Sequence, residues 1–208
     1  YFMKSIKELY RIGTGPSSSH TMGPRWAAEQ FTAKHPEATK YTVTLYGSLA
    51  ATGKGHMTDV ALEDVLGRDG KEVEILWEPA TFLKQHPNGL RFTATMPDGK
   101  QTEPWTVFSI GGGAVVEEGA TEMNTPEIYD LNTMTQIMDY CDRTGRCYWE
   151  YVEKCEGPEI WDYLRQVWKA MRESVERGLA HEGRLPGPLN LRRKAASYLV
   201  KAEGFKDN

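Results

Sequence analysis

The spacing of hydrophobic and polar positions changes character once along the chain, near residue 120. Before that point, short apolar runs alternate with period two, the pattern of half-buried strands. Tyr41-Thr42-Val43-Thr44-Leu45-Tyr46 is the clearest example, and Val73 to Trp77 predicts another strand. Leu90 to Met96 and Thr102 to Ile110 predict two more, flanking Pro97-Asp98-Gly99-Lys100, whose Asp-Gly step favours a hairpin turn. Two helices interrupt these strands. One follows Gly23-Pro24, with proline in its first turn and Trp26, Ala27, Gln30 and Phe31 along it. The other takes Thr58 or Asp59 as its N-cap, runs to Leu66 and ends at Gly67. The mixture predicts an α+β domain on a mainly antiparallel sheet.

After residue 125 the strand signal stops. Ile160, Trp161, Leu164, Val167, Trp168, Met171, Val175 and Leu179 recur at helical spacing and mark one face of a long helix, with Pro158 near its start and Gly183 beyond its end. Leu131 to Tyr140 and Leu189 to Leu199 predict further helices. The expected organisation is therefore a β domain over residues 1–120 and an all-helical segment over 121–208, joined by a linker from Glu118 to Pro126. The apolar face of the long helix expects a partner surface.

Composition narrows the classes. With 208 residues, 39% of them hydrophobic, the chain can bury a substantial core. A formal net charge of −4 and a pI of about 5.8 give no support to a nucleic-acid partner. Mean hydropathy is −0.56, and no run approaches the roughly 20 apolar residues that span a bilayer, so no membrane partner is expected. The opening residues read as an ordinary amphipathic segment, not a secretory signal. Three cysteines, Cys141, Cys147 and Cys155, form an odd, sparse set at spacings that match no common zinc or ferredoxin pattern. They suit reduced thiols in a cytoplasmic protein and read as packing or surface residues, with no metal ligand among them.

Two segments carry candidate chemistry. Gly13-Thr14-Gly15-Pro16-Ser17-Ser18-Ser19-His20-Thr21 places hydroxyls and an imidazole just before a helix start, where free backbone N–H groups attract anions. The plainer reading is that one serine caps the helix and the others are loop. Gly47-Ser48-Leu49-Ala50-Ala51-Thr52-Gly53-Lys54-Gly55-His56 places a histidine between a glycine-rich loop and a helix, able to take a proton near neutral pH. Lys54 either binds a carboxylate or is solvated, and the histidine by itself reads equally as structural. The glycine spacing fits neither a dinucleotide nor a P-loop fingerprint.

Together the segments resemble the opening of the iron–sulfur-dependent L-serine dehydratases, in which a GPSSSHT run is followed by a TGKGH run at about this separation. Ser109-Ile110-Gly111-Gly112-Gly113 resembles that family's SIGGG turn, and Glu182-Gly183-Arg184-Leu185-Pro186-Gly187 with Leu191-Arg192-Arg193-Lys194-Ala195 resembles its EG-LPG-L-RRA stretch. The resemblance implies a serine dehydratase β domain, similar in fold to the allosteric substrate-binding domain of some phosphoglycerate dehydrogenases, followed by the helical start of the catalytic α domain. It implies elimination of water from L-serine to give pyruvate and ammonia, with a [4Fe–4S] cluster as Lewis acid and no pyridoxal phosphate. The family's cluster cysteines lie further along than this chain reaches. A truncated chain is thus expected, inactive alone, whose partners are L-serine, the remainder of the α domain and a second copy in a homodimer.

The roles implied are His56 as the base for the Cα proton, with His20 as the other candidate or as an orienting group. Ser17, Ser18, Ser19, Thr21 and Lys54 are expected to bind the substrate carboxylate. His35, His86 and His181 have little claim to catalysis, the first two preceding proline and the last at a helix end. A different class stays open: a binding module that senses serine or an anion without turning it over.

Overall fold

In chain order the strands are β1 (Met3–Lys4), β2 (Lys40–Tyr46), β3 (Glu72–Glu78), β4 (Gly89–Thr95), β5 (Trp105–Gly111), β6 (Ala114–Glu117) and β7 (Glu127–Tyr129). The helices are α1 (Gly23–Lys34), α2 (Gly47–Thr52), α3 (Thr58–Leu66), α4 (Met134–Thr144), α5 (Tyr148–Glu156), α6 (Ile160–Ala180) and α7 (Ala195–Gly204). This is the fold of a computed structural model, which describes residues 3–120, 126–187 and 189–204. It is an α+β fold that divides into two compact units.

The sheet unit holds residues 13–120 together with Gly187 and Leu189. Its five strands run in the order β3-β2-β4-β5-β6, antiparallel except for the parallel pair β2 and β3. The alternation in β2 does what the sequence predicts: Tyr41, Val43 and Leu45 are buried, while Thr42 and Thr44 point to the opposite face. Val43 sits between Ile75 and Phe92 in register. Against this face α1 packs Ala27, Ala28 and Phe31, and α3 packs Leu62, Val65 and Leu66. Phe31 stacks on Trp105 at 5.9 Å and lies 5.3 Å from Phe92, which sets the angle of α1 on the sheet. Trp26, on the same helix, turns outward.

Several boundaries move for local reasons. The hairpin forms at Pro97–Lys100, closed by Gly99 N–H to Met96 O at 2.9 Å and Met96 N–H to Lys100 O at 2.8 Å. The strand after it begins only at Trp105, because Pro104 has no N–H to give the ladder. Helix α3 starts at Thr58 without a side-chain cap. Its preceding residue, Met57, is left-handed at φ 57°, ψ 35°, so neither Thr58 nor Asp59 is the N-cap expected.

The helical unit holds residues 3–12, 126–186 and 190–204. Residues 3–12, expected with the β domain, are held here by an ionisable side chain. Glu156, buried at the end of α5, accepts from Ser5 Oγ at 2.6 Å, Ile6 N–H at 2.7 Å and Tyr129 Oη at 2.7 Å. β1 pairs antiparallel with β7, and the Tyr163 hydroxyl donates to the carbonyls of Lys7 and Tyr10. Of the expected linker, residues 121–125 lie outside the described residues.

Within this unit α4 begins three residues later than the apolar pattern suggests, at a capping box in which Thr133 and Gln136 satisfy each other's N–H groups. Helix α5 had no expectation. The helix expected from Leu189 begins only at Ala195, because Leu185 N–H to Leu191 O and Arg193 N–H to Gly183 O, both 2.8 Å, pair residues 183–185 with 191–193 in an extended arrangement. On α6 only Ile160 and Val167 are buried; Trp168, Met171 and Val175 stay exposed, a stripe still lacking its cover.

Replacing Glu156 with Ala would leave three donors without an acceptor. The cost expected is about 2–4 kcal/mol, since donors to a buried charged group are hard to leave unpaired. Urea unfolding should show it, and amide exchange at Ile6 should rise while exchange in β2 stays unchanged. Glu156→Gln, which keeps one acceptor oxygen, should be milder.

Candidate active site

The serine-rich segment does not simply run into α1. Residues Ser18–Met22 form one π-helical turn that leads into it, a widening of the helix often found where side chains must be aimed. Ser17 is the cap: its Oγ accepts from His20 N–H at 3.1 Å, and its own N–H donates to Thr21 Oγ1 at 3.2 Å. Ser19 Oγ lies 2.9 Å from His20 Nδ1. Ser18 is exposed and its side chain makes no hydrogen bond among the described residues. Thr21 is only 3% exposed, and its hydroxyl donates to the carbonyl of His56 at 2.7 Å. Of the five residues expected to hold substrate, Thr21 is thus engaged internally.

The second segment reaches the first. The His20 and His56 rings lie with centroids 4.7 Å apart, tilted by 38°. The Thr58 hydroxyl donates to the carbonyl of His20. Gly53 lets this approach happen, because a Cβ there would lie 2.9 Å from the Trp77 ring and 3.2 Å from Thr58 Oγ1. Lys54 is exposed, with its ammonium 5.4 Å from the centre of the Trp77 ring, a cation–π contact on β3.

A third segment closes the arrangement. Ser109, within β5 and two residues before its end, is fully buried and donates from Oγ to Ser19 O at 2.7 Å. Asn88 fixes it on both sides, donating from Nδ2 to Ser109 O and accepting from Ser109 N–H. Gly23 has no Cβ because one would collide with that hydroxyl. The sequence marks the serine–glycine turn as a family feature, but no local pattern reveals that its serine anchors a loop 90 residues away.

The two imidazoles differ in chemical state. His56 Nδ1 lies 3.0 Å from Thr52 O, and a carbonyl only accepts, so Nδ1 carries the hydrogen and neutral His56 has its lone pair on Nε2. His20 is held below the usual imidazole pKa, first by burial and then by the charge of His56, while the Ser48 backbone opposes the shift. Its Nε2 is enclosed and makes no hydrogen bond. A buried nitrogen without a partner has a hydrogen bond left to give or accept.

The family model described as serine dehydratase beta chain matches residues 5–76 and 70–120, more than half of the chain. The chain belongs to the serine dehydratase beta chain family. The serine, histidine and Ser109 segments of this serine dehydratase chain all fall inside the matched span. L-serine dehydratase 2 of Escherichia coli is 34% identical over 94% of this chain and 53% of its own length. L-serine dehydratases of Haemophilus influenzae and Mycobacterium tuberculosis are each 32% identical, over 94% and 92% of this chain and 53% and 52% of their own lengths. The chain spans about half the length of the curated relatives it matches.

Among the described residues of this serine dehydratase chain, no group of three or more His, Cys, Asp or Glu side chains is placed to hold a metal ion. Cys141 is buried, Cys147 exposed and Cys155 between the two. These thiols do not fit the ligand set of an iron–sulfur cluster. No helix among the described residues is long and apolar enough to cross a membrane.

Gly23→Ala should push the Ser109 hydroxyl off Ser19 O and destabilise the sheet unit by about 1–3 kcal/mol, the usual cost of overpacking. Adding Ser109→Ala should cost less than the two single changes summed, which thermal unfolding of all three variants will show. The His20 shift has its own signature. The folded chain binds this proton more weakly than the unfolded chain, so its contribution to stability is complete above the ordinary value of 6.5 and is lost as pH falls through the depressed value. The urea midpoint should decline as pH falls below the ordinary value of 6.5, and His20→Asn should flatten that part of the decline.

Proposed function

We propose that the protein to which this chain contributes is an L-serine ammonia-lyase, eliminating water from L-serine to give aminoacrylate, which becomes pyruvate and ammonia. The observation that carries the reading is the hydrogen bond from His56 Nδ1 to the Thr52 carbonyl, which leaves Nε2 as a bare lone pair, with the His20 ring 4.7 Å away between centroids. His56 Nε2 takes the Cα proton, the electron pair forms the Cα–Cβ double bond, and hydroxide leaves Cβ. His20, with Nε2 unpaired, orients the substrate by a hydrogen bond. The names of the relatives, all L-serine dehydratases, support L-serine as the substrate.

Ser18 and Ser19 are the hydroxyls best placed for the substrate carboxylate, with Ser17 shaping the turn and Lys54 adding positive charge at the rim. Stabilising the departing hydroxide is assigned to the remainder of the protein, because the cysteines here offer no cluster site. Residues 13–120 are then the β domain and the helical unit the start of the catalytic domain. The exposed stripe of Trp168, Met171 and Val175 supports a cover from the rest of that domain, with a second copy in a homodimer as the other occupant. Sparse free thiols support a cytoplasmic setting.

In the intact protein, His56→Ala should lower kcat for serine by at least about 10²-fold, the lower bound for losing a general base. His20→Ala should act mainly through KM, as loss of uniform binding does. Exchange of the serine Cα hydrogen in D₂O, followed alongside pyruvate release, decides between them. Retained kcat in His56→Ala with exchange lost in His20→Ala would reverse the two roles.

A further inference from the structure

We propose that Thr21 and Thr58 are positioning residues, a reciprocal pair of hydroxyl braces that hold the two imidazoles in register. Thr21, next to His20, donates to the carbonyl of His56; Thr58, two residues after His56, donates to the carbonyl of His20. Each histidine's backbone is therefore held by a threonine of the other's segment, across 35 and 38 residues of chain. Thr58 is completely buried and Thr21 nearly so, which removes both from contact with substrate. What remains for their hydroxyls is geometry.

The local backbone shows why braces are required. Between His56 and Thr58, Met57 is left-handed, a conformation that costs a residue with a side chain roughly 1–2 kcal/mol. The neighbouring loop's own bonds are local ones: Met57 N–H turns back to Gly53 O and, at 3.3 Å, to Lys54 O, His56 Nδ1 reaches Thr52 O, and Gly55 has no atom near enough to touch an added Cβ. The hydrogen bonds through Thr21 and Thr58 therefore hold the turn that aims His56. Thr21 does a second task, since its Oγ1 also accepts from Ser17 N–H at 3.2 Å and so ties the cap of the π turn to the same brace. A valine at either position keeps the shape and removes the donor.

The inference rests on the histidine pair proposed above as the reacting groups, and two readouts separate failure of one from failure of the other. The first needs no turnover. The chain has five histidines, so carbon-13 labelling of their rings gives a titration curve for each by NMR. Thr58→Val and Thr21→Val should move the His20 midpoint up toward its ordinary value as the enclosure loosens and His56, the titratable ring placed against it, moves away. Thr58→Ser should keep the native curve, and His35 and His181 should not respond. The second readout is kcat in the intact protein, where a displacement of about 1 Å at the reacting groups can cost 10²-fold. The valine variants should lose about that much with KM for serine little changed, and Thr58→Ser should restore it.

Unchanged His20 and His56 curves in folded valine variants would overturn the brace. Loss of the fold in both valine variants would assign the threonines to the core and overturn it equally. Shifted curves with an undiminished kcat would leave the brace standing and sink the histidine mechanism.

Discussion

The parallel pairing of β2 with β3 is the constraint on which the candidate site depends. Antiparallel strands can be joined by a short turn, but a parallel neighbour requires the chain to travel back the full length of the strand. Here that return spans α2, α3 and the glycine-rich turn between them, so the segment bearing His56 necessarily starts at the carboxyl end of β2. Helix α1 precedes β2 and packs against the same face, which brings its amino end, with His20, to the same place. On the other side β2 pairs antiparallel with β4, so the strand direction changes across β2.

Much of this was legible in the sequence, for reasons that can be named. Tyr41 to Tyr46 reads correctly as a strand because alternation and β-branching agree, and Ile160 to Leu179 reads correctly as a helix because its stripe is long. The short elements were not legible. β1 is two residues long and exists only through pairing with β7. On α1 the small Ala27 and Ala28 are what let the helix approach the sheet, while the Trp26 indole points out, a difference that the run of residues alone does not show.

For the site, the types of residue were legible and their jobs were not. His20 and His56 could be singled out as candidates, yet nothing local shows that their rings come within 4.7 Å. Thr58 reads as a helix cap from its position, and in the fold its hydroxyl turns away from its own helix toward another segment. Thr21 looks like one more donor in a polar run, and Ser109 like part of a glycine turn. Each makes a bond to a backbone carbonyl far away in sequence, and a carbonyl carries no signature in the residue that bears it.

The buried Glu156 has a consequence for the order in which the protein is made. Its donors, Ser5 and Ile6, precede it by about 150 residues, and residues 13–120 of the sheet unit, which carry all five of its strands, lie between them. At a synthesis rate of about 5–20 residues per second, roughly 8–30 s pass before the carboxylate that will receive them is translated. The five strands are all made during that interval and can pair first, using nearer contacts that close quickly. Ser5 and Ile6 thus wait for their acceptor until after residues 13–120 have been made.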